Sequence, residues 1–364
     1  MNKINEIIFA IITAGIIFSV VMINKTNDSK VKQGEVVKIG LALPLTGGAS
    51  FLGESARNSA IMALEDVGKT KFKYEFVFED DAFNPVKTVS AVNKFISVDK
   101  VSAIITFGSG TSNAVAPITE TARIPRFGLA SDPTSVTGEY NFIHWTPPFK
   151  EGQLLAKEVE KRGYKTISIV DTNHSGTLAV TKSVRETLKS TKVKIISDDL
   201  TSVGDKDFRT IILKIKSAKP EIVLVEMFSP EIEIFAKQMK ELGVNIPMTS
   251  VETFEWSNDT SLFEGMWFIS DARIERNFAE KYKAKFGVDA KPGATYVYDL
   301  VKMIIDIQEK SNQKLSAEEM QNSVAGSGSY QSPIFGKVAI DSEGFFITDA
   351  TVKEIIGGKA VLVE

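Results

Sequence analysis

From residue 36 the chain alternates short apolar runs with helical patterns, and after residue 150 it does so again. "VVKIGLALPL" (36–45), "KYEFVFED" (73–80) and "VSAIITF" (101–107) read as strands. Between them, "FLGESARNSAIMALEDV" (51–67) carries Ala56, Ala60, Ala63, Leu64 and Val67 at helical spacing, and "NPVKTVSAVNKFIS" (84–97) opens on Asn84 as cap and Pro85 in the first turn. Ser112 to Ala122 reads as the third helix and "PRFGLA" (125–130) as a fourth short strand. The second series begins with the helix "EGQLLAKEVEKRG" (151–163). Strands at 166–170, 193–197, 221–228 and 246–250 then alternate with helices at 176–189, 207–217 and 230–243. A strand that returns through a helix to a neighbouring strand makes a parallel pair, and a parallel sheet needs helices on both faces. The fold class is therefore α/β, with two Rossmann-like units whose crossovers are right-handed.

The remainder breaks the alternation. "GMWFIS" (265–270) reads as a connecting strand, followed by helices at 273–286 and 292–309, a helix and Gly/Ser turn at 318–333, and short strands from Phe335 to Glu364. A chain of 364 residues exceeds one ordinary core and agrees with two domains. A net charge of -3 gives no sign of a nucleic-acid partner, and the absence of Cys removes disulfides, thiolate metal sites and a lipidated cysteine. Before the first strand, "IIFAIITAGIIFSVVMI" (7–23) holds 17 residues without a charge, followed by the polar linker "NKTNDSKVKQGE". It reads as a signal-anchor or signal peptide over 1–24, with a linker over 25–35. The rest of the chain is then extracytoplasmic and tethered by that helix.

Motifs for chemistry mostly fail. "GSGTSN" (108–113) has Asn113 where a dinucleotide fingerprint needs Gly, and it lacks the Lys of a phosphate loop. What remains is a strand end running into a helix N-terminus, a place suited to an anion such as a carboxylate, or an ordinary capped turn. There is no G-x-S-x-G elbow, and two histidines, His144 and His174, exclude an H-E-x-x-H site. No cofactor or metal is expected. The loops after the strands, "TGGASFLGES", "EDDAFNP", "ASDPTS" with Ser131, "DTNHSG", "EMFSPE" and "VETFEW", belong to one end of their sheets and would line one cleft.

The ordered set of blocks "IGLALPLTGGASFLGESARNSAIMALED", "EDDAFNPVKTVSAVNKFISVDKVSAIITFGS", "APITETARIPRFGLAS", "GDKDFRTIILKIKSAKPEIVLV", "ATYVYDLVKMI" and "FGKVAIDSEGFF" resembles the substrate-binding proteins of branched-chain amino-acid ABC transporters, of the periplasmic binding protein type I fold. The resemblance covers nearly all of 36–364. It implies two lobes joined by three crossovers, lobe 1 being 36–148 plus 271–335 and lobe 2 being 149–270 plus 336–364. It implies a small solute, an amino acid, amine or amide, held between them and presented to a membrane permease.

By the same resemblance Ser112 and the Gly110 backbone hold a carboxylate, Asp132 takes the place of a threonine, and Glu252 binds an ammonium. The chain departs from the pattern at Leu52 (with Phe51 beside it), at Trp145–Thr146 in place of Arg–Thr, at Ser175 (with His174) in place of Tyr, and near Phe228. Trp145 and Phe228 would supply an apolar or stacking wall, and Asp132 with Glu252 would favour a cationic solute over a simple amino acid. A ligand-sensing receptor, an amidase-like enzyme in the same cleft and a scaffold role are the alternatives.

Overall fold

The computed structural model describes residues 35–271 and 276–363. The apolar run 7–23 and nearly all of the linker lie outside them. Among the described residues no helix is long and apolar enough to cross a membrane.

The first series folds as β1 (Val36–Leu43), α1 (Ser50–Val67), β2 (Lys73–Asp80), α2 (Pro85–Lys94), β3 (Ala103–Phe107), α3 (Ser109–Ala122), β4 (Arg126–Leu129) and β5 (Asn141–His144). Asn84 caps α2 as expected, accepting hydrogen bonds from the N–H groups of Val86 (2.9 Å) and Lys87 (3.2 Å). The second series is α4 (Pro148–Lys161), β6 (Thr166–Thr172), α5 (Ser175–Leu188), β7 (Lys194–Thr201), α6 (Arg209–Ala218), β8 (Ile222–Glu226), α7 (Glu231–Glu241), β9 (Met248–Thr249), the short α8 (Thr253–Trp256) and β10 (Trp267–Asp271). The chain ends in α9 (Arg276–Phe286), α10 (Ala294–Lys310), α11 (Ala317–Ser327), β11 (Ser329–Ser332), β12 (Gly336–Ile340), β13 (Phe345–Ile347), β14 (Ala350–Ile356) and β15 (Lys359–Leu362).

One eight-stranded sheet runs β11-β12-β13-β5-β4-β3-β1-β2. Its β2-β1-β3-β4-β5-β13 portion is parallel, and β11 and β12 are antiparallel additions. A second body holds a parallel sheet β7-β6-β8-β9 and an antiparallel sheet β10-β14-β15, joined by a parallel bridge between Val251 and Ile269. Each body has apolar clusters on its sheet. In the first, α1 and α10 bury Ala56, Ala60, Tyr296 and Leu300 against Ile39, Leu41 and Ile105. In the second, Val223 and Val225 of β8 turn to one cluster while Ile222 and Leu224 turn to another, which is the alternation a strand buried on both faces must show.

The chain passes between the bodies at 145–147, after Asp271 and at 348–349. The last crossing corrects the expected boundary at 335/336. β12 and β13 pair with β11 and β5, so only β14 and β15 enter the second body. The cause is Phe346, which packs its ring on Phe142 (6.2 Å), Phe127 (6.2 Å) and His144 (4.9 Å) and so holds the tail strand in the first core. Two of the crossings touch: Thr146 bonds Thr348 (3.3 Å) and Tyr296 (2.7 Å).

Candidate functional site

The C-terminal ends of the parallel strands in both bodies meet at one cleft, where open α/β sheets place ligands. It has ≈ 490 Å³ of atom-free space, solvent at the mouth included. Phe107 to Ser109, Leu129 to Ser131 and Trp145 face it from the first body. His174, Gly176, Thr177, Glu226, Phe228, Val251 to Thr253 and Trp256 face it from the second.

The first-body wall is built by the turn between β3 and α3. Gly108 stands before α3 with φ 96°, and a Cβ there would lie 2.8 Å from the Phe83 ring, so both conformation and space demand glycine. This turn starts α3 at Ser109, one turn earlier than the sequence suggested. The helix opens on N–H groups that have no carbonyl above them, and its first residue, Ser109, faces the cleft. Ser109 Oγ accepts from the N–H groups of Ser131 (3.1 Å) and Asp132 (3.2 Å). Behind it lies Arg126, wholly buried among neutral partners. Its Nε donates to Asn141 Oδ1 (2.7 Å), and burial pulls its guanidinium pKa down to about 9.

The second-body wall is acidic. Glu252 precedes α8 in the left-handed region, at φ 63°, a conformation that costs a non-glycine residue about 1–3 kcal/mol. There its side chain accepts from Trp145 Nε1 (3.0 Å), a bond that runs across from the first crossing. Burial first, then the nearby Asp271 charge, pushes the Glu252 carboxyl up to about 8. Glu226, at the end of β8, accepts from the Val251 N–H, and its carboxyl is raised well above the usual range, mainly by burial. Glu151, in the first turn of α4, is completely buried, and among the described residues no N–H or O–H donor reaches either of its oxygens. It faces Glu252 and its carboxyl too is raised by burial and by Glu252. Two buried carboxylates side by side repel each other, so the pair retains protons at neutral pH.

Aromatic rings complete the walls. Trp145 stacks on Tyr296 (4.5 Å) and meets Trp256 edge-on (5.8 Å); Phe228 stacks on Trp256 (5.7 Å) and meets His174 edge-on (5.1 Å). His174 Nδ1 accepts from the Gly176 N–H (3.2 Å), which leaves Nε2 as the ring nitrogen for the cleft. Burial lowers the His174 pKa, so the ring enters the site neutral. The bodies nearly touch here: a Cβ on Gly176 would lie 2.9 Å from Ser109 Oγ.

Five of the expected residues thus line the cleft: Ser131, Trp145, His174, Phe228 and Glu252. The other five do not. Ser112 is fully buried and bonds Thr106 (2.9 Å), turned toward β3 rather than the cleft. Asp132 caps the turn at 133–135, accepting from Thr134 N–H (2.9 Å), while its other oxygen takes Asn113 Nδ2 (2.6 Å). Its charge is thereby spent on the protein's own backbone and side chains. Leu52 packs into the first core. Gly110 and Ser175 sit in the first turns of α3 and α5 without facing the cleft. His144 is also outside it, buried and bonded to Asp299 (2.8 Å) and Tyr330 (2.9 Å). Residues that sequence reasoning did not single out are Ser109, Glu226, Glu151 and Trp256. Glu226 did carry a signal, an acid closing the apolar run "IVLVE".

A family model described as periplasmic binding protein matches residues 36–359. The chain is 26% identical over 271 residues to the leucine-, isoleucine-, valine-, threonine-, and alanine-binding protein of Pseudomonas aeruginosa, covering 70% of this chain and 71% of that one. It is 25% identical to a Leu/Ile/Val-binding protein of Rhizobium johnstonii, over 57% of this chain and 59% of that relative. Among solved structures, a leucine binding protein from Thermotoga maritima superposes with TM-score 0.81 at 20% identity, over 90% of this chain and 98% of that one. A Rhodopseudomonas palustris solute binding protein in complex with 3,4-dihydroxy benzoic acid superposes with TM-score 0.79 at 19% identity, over 90% and 96%.

Proposed function

Because the chain belongs to the periplasmic binding protein family, in its type I, branched-chain amino-acid transporter branch, we propose that it is an extracytoplasmic solute-binding protein that captures a small amino-acid-like solute between its lobes and hands it to an ABC permease. The run 7–23 would serve as its export signal or anchor. The observation that carries this reading is the opposed polarity of the cleft. On one side the open N–H groups of α3 and the buried Arg126 behind them favour a carboxylate. On the other, Glu252 and Glu226 favour an ammonium. A solute that bridges the two sides stabilises the closed arrangement, since it contacts both lobes. The hinge is the set of crossings around Thr146 and Thr348.

Thermal melts of the full chain with a panel of neutral, aromatic and basic amino acids, amines, amides and aromatic acids test it. Binding to the folded state alone raises Tm by mass action, by about 2.7 kcal/mol of stability at one hundred times Kd. A rise with one class of amino-bearing solutes is expected. No rise with any member, or consumption of a solute, would reject the reading.

A further inference from the structure

One ammonium needs one carboxylate, and this cleft offers two with a third behind them. Glu226 and Glu252 come from the ends of different strands, and each uses one oxygen on the protein: Glu226 on the Val251 N–H, Glu252 on Trp145 Nε1. No Lys or Arg is among the described residues that line the cleft. Lys353 of β14, the one buried lysine among the described residues of this lobe, is held by Glu255 (2.9 Å), Asp271 (3.2 Å) and Ser270 (3.1 Å). Asp171, the other acid near Glu226, is bonded by Thr181 and lies 3.7 Å from Arg185. On the opposite side Asp132 is occupied by Asn113 and Thr134, and His174 is neutral. The walls between are the faces and edges of Trp145, Phe228 and Trp256, surfaces that attract cations and cover alkyl stems.

Resting on the solute-binding reading above, we propose that the solute has a net positive charge, a basic amino acid or a diamine, with one nitrogen at Glu252 and a second at Glu226. A zwitterion with a single ammonium would leave one of the two buried carboxyls facing no cation. Before the solute arrives, burial keeps Glu226 and the Glu151–Glu252 pair protonated. As the two ammonium groups dock, the Glu252 and Glu226 carboxyls each give a proton to solvent and their carboxylates take the cations. One proton is released for one ion pair formed. Affinity for such a solute therefore rises with pH, by up to about tenfold per pH unit for each proton released.

Calorimetric titrations of the full chain test this with arginine, putrescine, leucine and benzoate, at pH 6 and 8, each in two buffers of different ionisation enthalpy. Arginine or putrescine should bind about 100-fold tighter than leucine, release protons and bind better at pH 8. Glu226→Gln, which keeps an acceptor for the Val251 N–H, should collapse the arginine-to-leucine affinity ratio toward one. Leucine binding as tightly as arginine, with that ratio unmoved by Glu226→Gln, would overturn the inference and leave solute capture standing. Benzoate binding that strengthens at pH 6 would overturn it too, since the carboxyls would then act as donors. Silence from all four probes would overturn both readings.

Discussion

Two groups of acids lie side by side in the second lobe and differ by a lysine. Glu255 and Asp271 close on Lys353, which burial alone would discharge but whose pKa these two acids raise instead. Glu151, Glu226 and Glu252 have no cation among the described residues that line the cleft. A single short segment serves both groups, with Glu252 before α8 and Glu255 inside it. The first group is complete as folded, and its role is to fix the start of the second crossing at Asp271. The second is completed by protons or by something that enters from outside. Burying an unpaired charge costs several kcal/mol, so a chain keeps such a group where a ligand repays it.

The sharpest way to break this contrast is to remove the lysine. Lys353→Met leaves the buried Asp271 and the half-buried Glu255 without a counter-charge, and urea unfolding should show a loss of about 3–5 kcal/mol. A loss under about 1 kcal/mol would mean the two groups are alike.

The next effect is a pH dependence carried by Glu252. Its carboxyl titrates near 8 in the folded chain against an ordinary 4.5, so between those values the folded state binds more protons than the unfolded one. Its contribution to stability is whole below the lower value, declines as pH rises and is gone above about 8. At about 1.4 kcal/mol per pH unit, the solute-free protein should lose a few kcal/mol between pH 5 and 8, and Glu252→Gln should flatten that slope. A slope unchanged by the substitution would place the proton elsewhere.

The smallest effects should come from residues that face the protein rather than the cleft. Asp132→Asn and Ser112→Ala are each expected to lower stability by about 1 kcal/mol, through a weakened cap and a lost hydrogen bond. Solute affinity should stay within about twofold by calorimetry. A tenfold loss of affinity from either would restore it to the head-group site that family resemblance suggested.

That last pair shows what the sequence could and could not disclose. The strand runs, the Asn84–Pro85 start of α2 and the gathering of strand-end loops follow from periodicity and turn chemistry, and they were legible. Which side chain of a loop faces the cleft depends on where the helix begins. With Gly108 at φ 96° the helix starts at Ser109, and a shift of three residues exchanges Ser109 for Ser112 as the first hydroxyl of the helix. The Asp132–Pro133 pair was a readable cap signature, since an acid before a proline at the first helical position bonds the backbone above it. The tail was harder. Strands as short as β11 to β13 carry too little periodicity to choose a sheet, and it is the long-range packing of Phe346 that assigns β13.

Gly176 and Ser109 belong to different lobes, yet a single added carbon would bring them within 2.9 Å. A methyl group at position 176 would be a doorstop. It would leave both acid groups as they are, while holding the jaws apart by the width of one carbon atom. How far the door swings is thus set at its free edge, and what it shuts upon is set at its back, by separate residues on which selection can act one at a time.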